Sequence, residues 1–159
     1  MTLRRLRVKE QDKKLPDGFY RAHLRHFPVV TVDLVVTDRE SRVLLVKRSS
    51  NNLNWKGAWA TPGGRVYRNE TIREAASRVL AREAGIGASP QEFAFKGVGE
   101  IVTSKEHGVT IVFAINRSGG AASADETSSS VRWFEPARLP KTLKDEYRSI
   151  LSKGGVGPG

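Results

Sequence analysis

Two hydrophobic periods alternate along this chain, and they place its elements. Val29 to Thr37 reads VVTVDLVVT, β-branched and nearly continuous, which suits a strand covered on both faces. Val30, Val32, Leu34 and Val36 share one face of it; Asp33 falls on the other with Thr31, Val35 and Thr37. The turn Asp38-Arg39-Glu40-Ser41 leads to a returning strand, Arg42 to Arg48. Past the glycines at 63 and 64 the period changes to that of a helix. Ile72, Ala75, Ala76, Val79 and Leu80 form its apolar stripe, Asn69 reads as its N-cap and Gly85 as its C′ residue. Glu92 to Ser104 and Val109 to Arg117 read as two more strands around the loop Lys105-Glu106-His107-Gly108.

The remaining segments punctuate this order. Residues 117–130, RSGGAASADETSSS, have no period and read as a flexible surface loop. Val131 to Pro136 is a last strand, and Leu139 to Lys153 contains a C-terminal helix before a flexible tail at 154–159. Near the start, Asp17 caps a short helix through Arg25, stopped before Pro28. Residues 1–16 are a basic arm and a candidate dimer contact. With no internal repeat and no second composition, residues 1–159 read as one domain.

Composition changes this picture in three ways. The chain is 38% hydrophobic and 28% charged, which is globular. No apolar run approaches the ~20 residues that span a bilayer, and the basic N-terminus lacks an apolar core for secretion, so a cytoplasmic protein is expected. There is no cysteine, which excludes disulfides and thiolate metal sites. The net charge of +10 favours anionic partners. A solvated basic surface and a phosphorylated metabolite both account for it. Nucleic acid is the least favoured partner, because no helix-turn-helix, RRM or zinc-knuckle pattern is present.

Candidate chemistry sits around the predicted helix. From Gly64, five residues lead to Glu70, seven more to Arg78, and then come Glu83, Gly85 and Ile86. Upstream lies Gly57-Ala58-Trp59-Ala60-Thr61-Pro62-Gly63-Gly64. Together these resemble the Nudix box, G-x5-E-x7-R-E-U-x-E-E-x-G-U with U aliphatic, and the G-x-W-x-x-P-G-G segment before it. Two acidic positions depart from the pattern, being Val79 and Arg82; Glu83 alone remains. That departure, with Gly63-Gly64-Arg65-Val66, Glu70-Thr71 and Ala75-Ala76, is similar to the GDP-mannose mannosyl hydrolase branch.

The resemblance implies a Nudix fold: an α/β architecture with a mixed β-sheet sandwiched between helices. It implies Mg²⁺, with Mn²⁺ as substitute, held by Glu83 and the carbonyl of Gly63. It implies substrate contacts from Asp33 and Arg48. Arg65 follows the glycine pair, where a guanidinium can take a phosphate by two parallel hydrogen bonds. Arg78 is read either as catalytic or as a helix ion pair with Glu74, four residues earlier. Trp55 is read as a base-stacking or a loop-packing side chain, and His23 and His26 as surface histidines. The branch's Gln-His pair falls on Thr127-Ser128, neither of them a base. Glu126 is the preferred general base and His107 the second choice, with Glu106 and Glu100 behind them.

The expected activity is therefore Mg²⁺-dependent hydrolysis of a nucleoside diphosphate sugar of the GDP-mannose type. Water would attack sugar C1 and expel the nucleoside diphosphate. Two alternatives stand beside it: a Nudix diphosphatase with attack at phosphorus, and a non-catalytic domain that binds nucleotides or RNA.

Overall fold

A computed structural model describes residues 16–50, 56–117 and 128–157. The elements run α1 (Asp17–His26), β1 (Val29–Thr37), β2 (Val43–Arg48), β3 (Trp59–Ala60), β4 (Gly63–Arg65), α2 (Ile72–Ala84), β5 (Ala94–Val102), β6 (His107–Asn116), β7 (Ser128–Phe134) and α3 (Asp145–Lys153). All seven strands belong to one sheet, ordered β3-β2-β1-β6-β5, with β4 beside β1 and β7 beside β2. β1 and β6 are parallel over their full length, from Val29↔Gly108 to Thr37↔Asn116. The other pairings are antiparallel, so the sheet is mixed as expected.

β1 is covered on both faces, and its alternation decides what covers each. Val32, Leu34 and Val36 pack with Ala75, Ala76, Val79 and Leu80 of α2 and with Phe93 and Phe113. Val35, on the other face, packs with Leu45, Val112 and with Tyr147, Ile150 and Leu151 of α3. Each buried aliphatic side chain contributes roughly 1.5–3 kcal/mol relative to an exposed one, so the two helices clamp the sheet from opposite sides. Among the described residues no helix is long and apolar enough to cross a membrane.

Several boundaries differ from the sequence reading. α2 starts two positions late: its N-cap is Thr71, which accepts from Glu74 N–H, while Glu74 accepts from Thr71 N–H in return. Asn69 instead takes a positive φ of 65° in the turn before it. Glu70 therefore stands outside the helix. Gly85 ends the helix in the left-handed region at φ 67°, as expected. His107 opens β6 and is not in a loop. Val156 returns to the α3 core and is buried, so the tail is packed through that residue. The basic arm (1–15), Trp55 and the loop at 118–127 lie outside the described residues.

Candidate active site

The site forms where the sheet splits. β1 and β2 pair directly at Thr37↔Val43 and then part. The chain Trp59 to Arg65 fills the wedge between them: β3 pairs with β2, β4 pairs with β1, and Thr61-Pro62 crosses from one to the other. Pro62 has no N–H to leave unpaired at the crossing, and its carbonyl accepts from Leu34 N–H at 2.9 Å. Gly63 then passes so close to β1 that a Cβ there would lie 2.5 Å from Asp33 Oδ1. A glycine is needed for that contact alone.

Glu83 reaches this wedge from the last turn of α2 and is 1% exposed. Its Oε1 accepts from Arg48 Nη1 at 2.9 Å, and its Oε2 accepts from Gly63 N–H at 3.0 Å. A second guanidinium, that of Arg82, has Nη2 3.5 Å from the same Oε1. Arg48 is also buried, and its Nη2 donates to the Thr61 carbonyl at 3.4 Å. Burial works against the Arg48 charge, but Glu83, with Tyr147 and Asp33 beside it, more than offsets this and raises the pKa above its ordinary value. Tyr147 of α3 lies against Arg48; burial pushes its phenol up, and Arg48 pulls the other way.

Asp33 is the neighbouring buried acid. Its Oδ1 accepts from Thr61 Oγ1 and its Oδ2 from Thr110 Oγ1, both at 2.7 Å. Burial lifts its pKa from the ordinary 3.8 to about 6, against the pull of the two hydroxyls and Arg48. The expected place for Asp33, opposite the valine face of β1, is what the structure shows. Its oxygens, however, are engaged by threonines.

A second acid–base pair stands at the other end of the motif. Glu70 takes Arg78 Nε at 3.0 Å and Nη2 at 2.6 Å. The same Nη2 donates to the Arg65 carbonyl at 2.7 Å, and the guanidinium sits over the Tyr67 ring, 3.9 Å from its centroid. The expected ion pair of Arg78 with Glu74 is therefore replaced, because Glu74 is occupied in the helix cap. Arg78 thus ties the glycine turn to the helix.

The structure brings together Arg48, Gly63, Glu83 and Asp33, and sets Arg65 and Arg78 beside them. It does not bring in His107, whose Nε2 lies 3.4 Å from Glu100 Oε1 on β5. Glu126 lies outside the described residues. Three participants went unnoticed in the sequence: Thr61, Thr110 and Tyr147. Thr61 occupies an unconstrained position of the glycine segment. Thr110 could be found only from the parallel register of β1 and β6, and Tyr147 carries no sequence signal.

A divalent cation at this donor set would compete with groups already in place. A hard cation needs several oxygen ligands, mostly anionic. Here Glu83 has three of its roughly four lone-pair positions directed at Arg48, Arg82 and the Gly63 N–H. Gly63 meets Glu83 through its N–H. Val79, at one vacated acid position, is fully buried in the α2 core. Among the described residues no three of His, Cys, Asp and Glu gather to hold a metal. The Glu83 oxygens thus face two guanidinium groups and a backbone N–H, at the place where the resemblance implies a cation.

Comparison with known proteins places this geometry in a family. The family model described as NUDIX domain matches residues 27–153. An ADP-ribose pyrophosphatase of Methanocaldococcus jannaschii is 31% identical over 145 residues, which cover 90% of this chain and 79% of that protein. The low-salt glycan biosynthesis protein Agl8 of Haloferax volcanii is 30% identical over 130 residues, 77% of this chain and 81% of that protein. Among solved structures, the NUDIX domain of Shewanella oneidensis NrtR, complexed with ADP ribose, superposes with a TM-score of 0.69 at 21% identity, covering 89% of this chain and 97% of that one.

Proposed function

The chain belongs to the NUDIX domain family, and on that premise we propose that it hydrolyses a nucleoside diphosphate joined to a sugar. Water attacks sugar C1, the C1–O bond to the diphosphate breaks, and the nucleoside diphosphate leaves with the bonding electrons. GDP-mannose is the first substrate to test. Nudix hydrolases generally use Mg²⁺ or Mn²⁺. The observation that supports this reading is the exposed guanidinium of Arg82 at the box carboxylate Glu83, whose charge Arg48 already balances from within. Departure from carbon puts developing charge on phosphate oxygens, where guanidinium groups stabilise it. It does not require the strongly acidic site that gathers metal ions to make a metal-bound hydroxide.

Arg65, beside the glycine turn, is the proposed phosphate contact, and Arg78 holds that turn in place through the Arg65 carbonyl. Asp33 and Arg48, which the resemblance implies as substrate contacts, act in this reading from behind that surface: both are buried, Asp33 between two threonine hydroxyls and Arg48 against Glu83. Glu126 is the proposed general base, and its removal should lower kcat far more than it raises KM.

A second reading is supported by the ADP-ribose pyrophosphatase relative: attack at phosphorus of a nucleoside diphosphate such as ADP-ribose. Hydrolysis of GDP-mannose in ¹⁸O water separates the two. Label in mannose supports attack at carbon; label in the phosphate product overturns it. An absence of turnover on nucleotide sugars and ADP-ribose, with or without Mg²⁺ or Mn²⁺, overturns both in favour of a binding domain.

A further inference from the structure

We propose that Arg48 holds the place of a divalent cation at Glu83, and that Arg82 takes the ligand's diphosphate directly, so that this chain binds its nucleotide without a metal ion. This rests on the reading of the site as one for a nucleoside diphosphate, and goes beyond it by naming what neutralises the diphosphate.

Three observations lead there. First, the box carboxylate is already satisfied. Glu83 Oε1 faces Arg48 Nη1 at 2.9 Å inside the wedge, and Oε2 faces the Gly63 N–H at 3.0 Å. A cation entering at Glu83 would have to displace a guanidinium and would meet its like charge at close range. Second, Arg48 is anchored from its far side. Its Nη2 reaches the Thr61 carbonyl, and Tyr147 lies against it, so it is held as a fixed ligand would be. Third, the acid positions that would have recruited the cation carry the opposite chemistry. One is the buried Val79, and the other is Arg82.

Arg82 differs from Arg48 in exposure. Its side chain is 38% exposed, with Nη1 3.3 Å from the Tyr67 hydroxyl and Nη2 3.5 Å from Glu83 Oε1. It also lies 3.6 Å from where a Gly64 Cβ would stand. It therefore stands at the glycine turn, beside backbone that a diphosphate can approach closely. Arg48 neutralises the acid within; Arg82 faces the anion without.

Calorimetry with ADP-ribose and GDP-mannose decides the matter, run once in EDTA and once in Mg²⁺. The expected affinities agree within about twofold, and Arg82→Ala weakens binding in EDTA by about tenfold, as loss of a charge-assisted contact should. A tightening by Mg²⁺ of about tenfold or more overturns the proposal. Mn²⁺ titration followed by electron paramagnetic resonance gives a readout free of nucleotide. The wild-type protein should leave the free Mn²⁺ signal unchanged. Stoichiometric Mn²⁺ uptake by the wild type overturns the proposal. Failure of both nucleotides to bind in either condition sinks the functional reading as well, and is distinguishable from Mg²⁺-dependent binding, which sinks only this proposal.

Discussion

Two acid–arginine pairs flank α2, and they are built to different ends. At its front, Glu70 and Arg78 are eight residues apart, with side chains 12% and 20% exposed. At its back, Glu83 meets Arg48, thirty-five positions away in sequence and buried on both sides. The front pair binds a turn to the helix that follows it. The back pair joins the helix to a strand across the split in the sheet, where neither charge can reach water. The first resembles an ordinary helix-end contact of modest energy. The second stands only because each charge cancels the other's desolvation, so its members cannot be changed singly at low cost.

The largest test of this contrast is Glu83→Ala. It leaves the Arg48 guanidinium buried without its carboxylate, and unfolding in urea should show a loss of about 3–5 kcal/mol. A loss below about 1 kcal/mol, the level of an exposed pair, would erase the distinction between the two ends.

Next in size is Asp33→Asn, which probes the same interior without breaking the Arg48 pair. The carboxyl of Asp33 has a folded pKa of about 6, above the ordinary 3.8. The folded state therefore binds the proton more tightly than the unfolded one. This contribution to stability is fullest below pH 3.8, declines as pH rises, and is gone above about 6. Asparagine can accept from one threonine hydroxyl and donate to the other. At pH 8 the variant should be more stable by up to about 3 kcal/mol, and its stability should lose this slope between pH 4 and 6. Urea titrations of both proteins across that pH range check it.

Arg78→Ala should cost less, about 1–2 kcal/mol, for loss of a partly exposed charge-assisted pair and the Tyr67 stack. If its cost equals that of Glu83→Ala, the front pair is not the weaker one. Smallest is Thr71→Ala, which removes the reciprocal cap of α2 for about 1 kcal/mol. Thermal unfolding of both variants orders them.

Particular residues mark how far the sequence was legible. The valine alternation of β1 gave its bounds and the face of Asp33 correctly, because strand period is a local property. The spacing of Gly64, Glu70, Arg78 and Glu83 led to the family for the same reason. The N-cap was misplaced by two residues because Asn69 and Thr71 are both good caps, and only Glu74 reaching back to Thr71 selects between them. Four-residue spacing on a helix offers Glu74 as a partner for Arg78, beside a catalytic reading; Arg78 meets Glu70 because Glu74 is engaged in the cap.

What this sequence determined by itself is what repeats locally: the strands and helices, the glycine turn, the loss of two box acids and the positive charge. What only the tertiary structure decided is where the remaining acid spends its charge. Glu83 and Arg48 are brought together by the parting of β1 and β2 and by α2 crossing above that gap. No spacing in the chain encodes that meeting, since it depends on sheet pairing, helix packing and burial acting at once. Burial then sets its strength, by removing the water that would otherwise screen both charges.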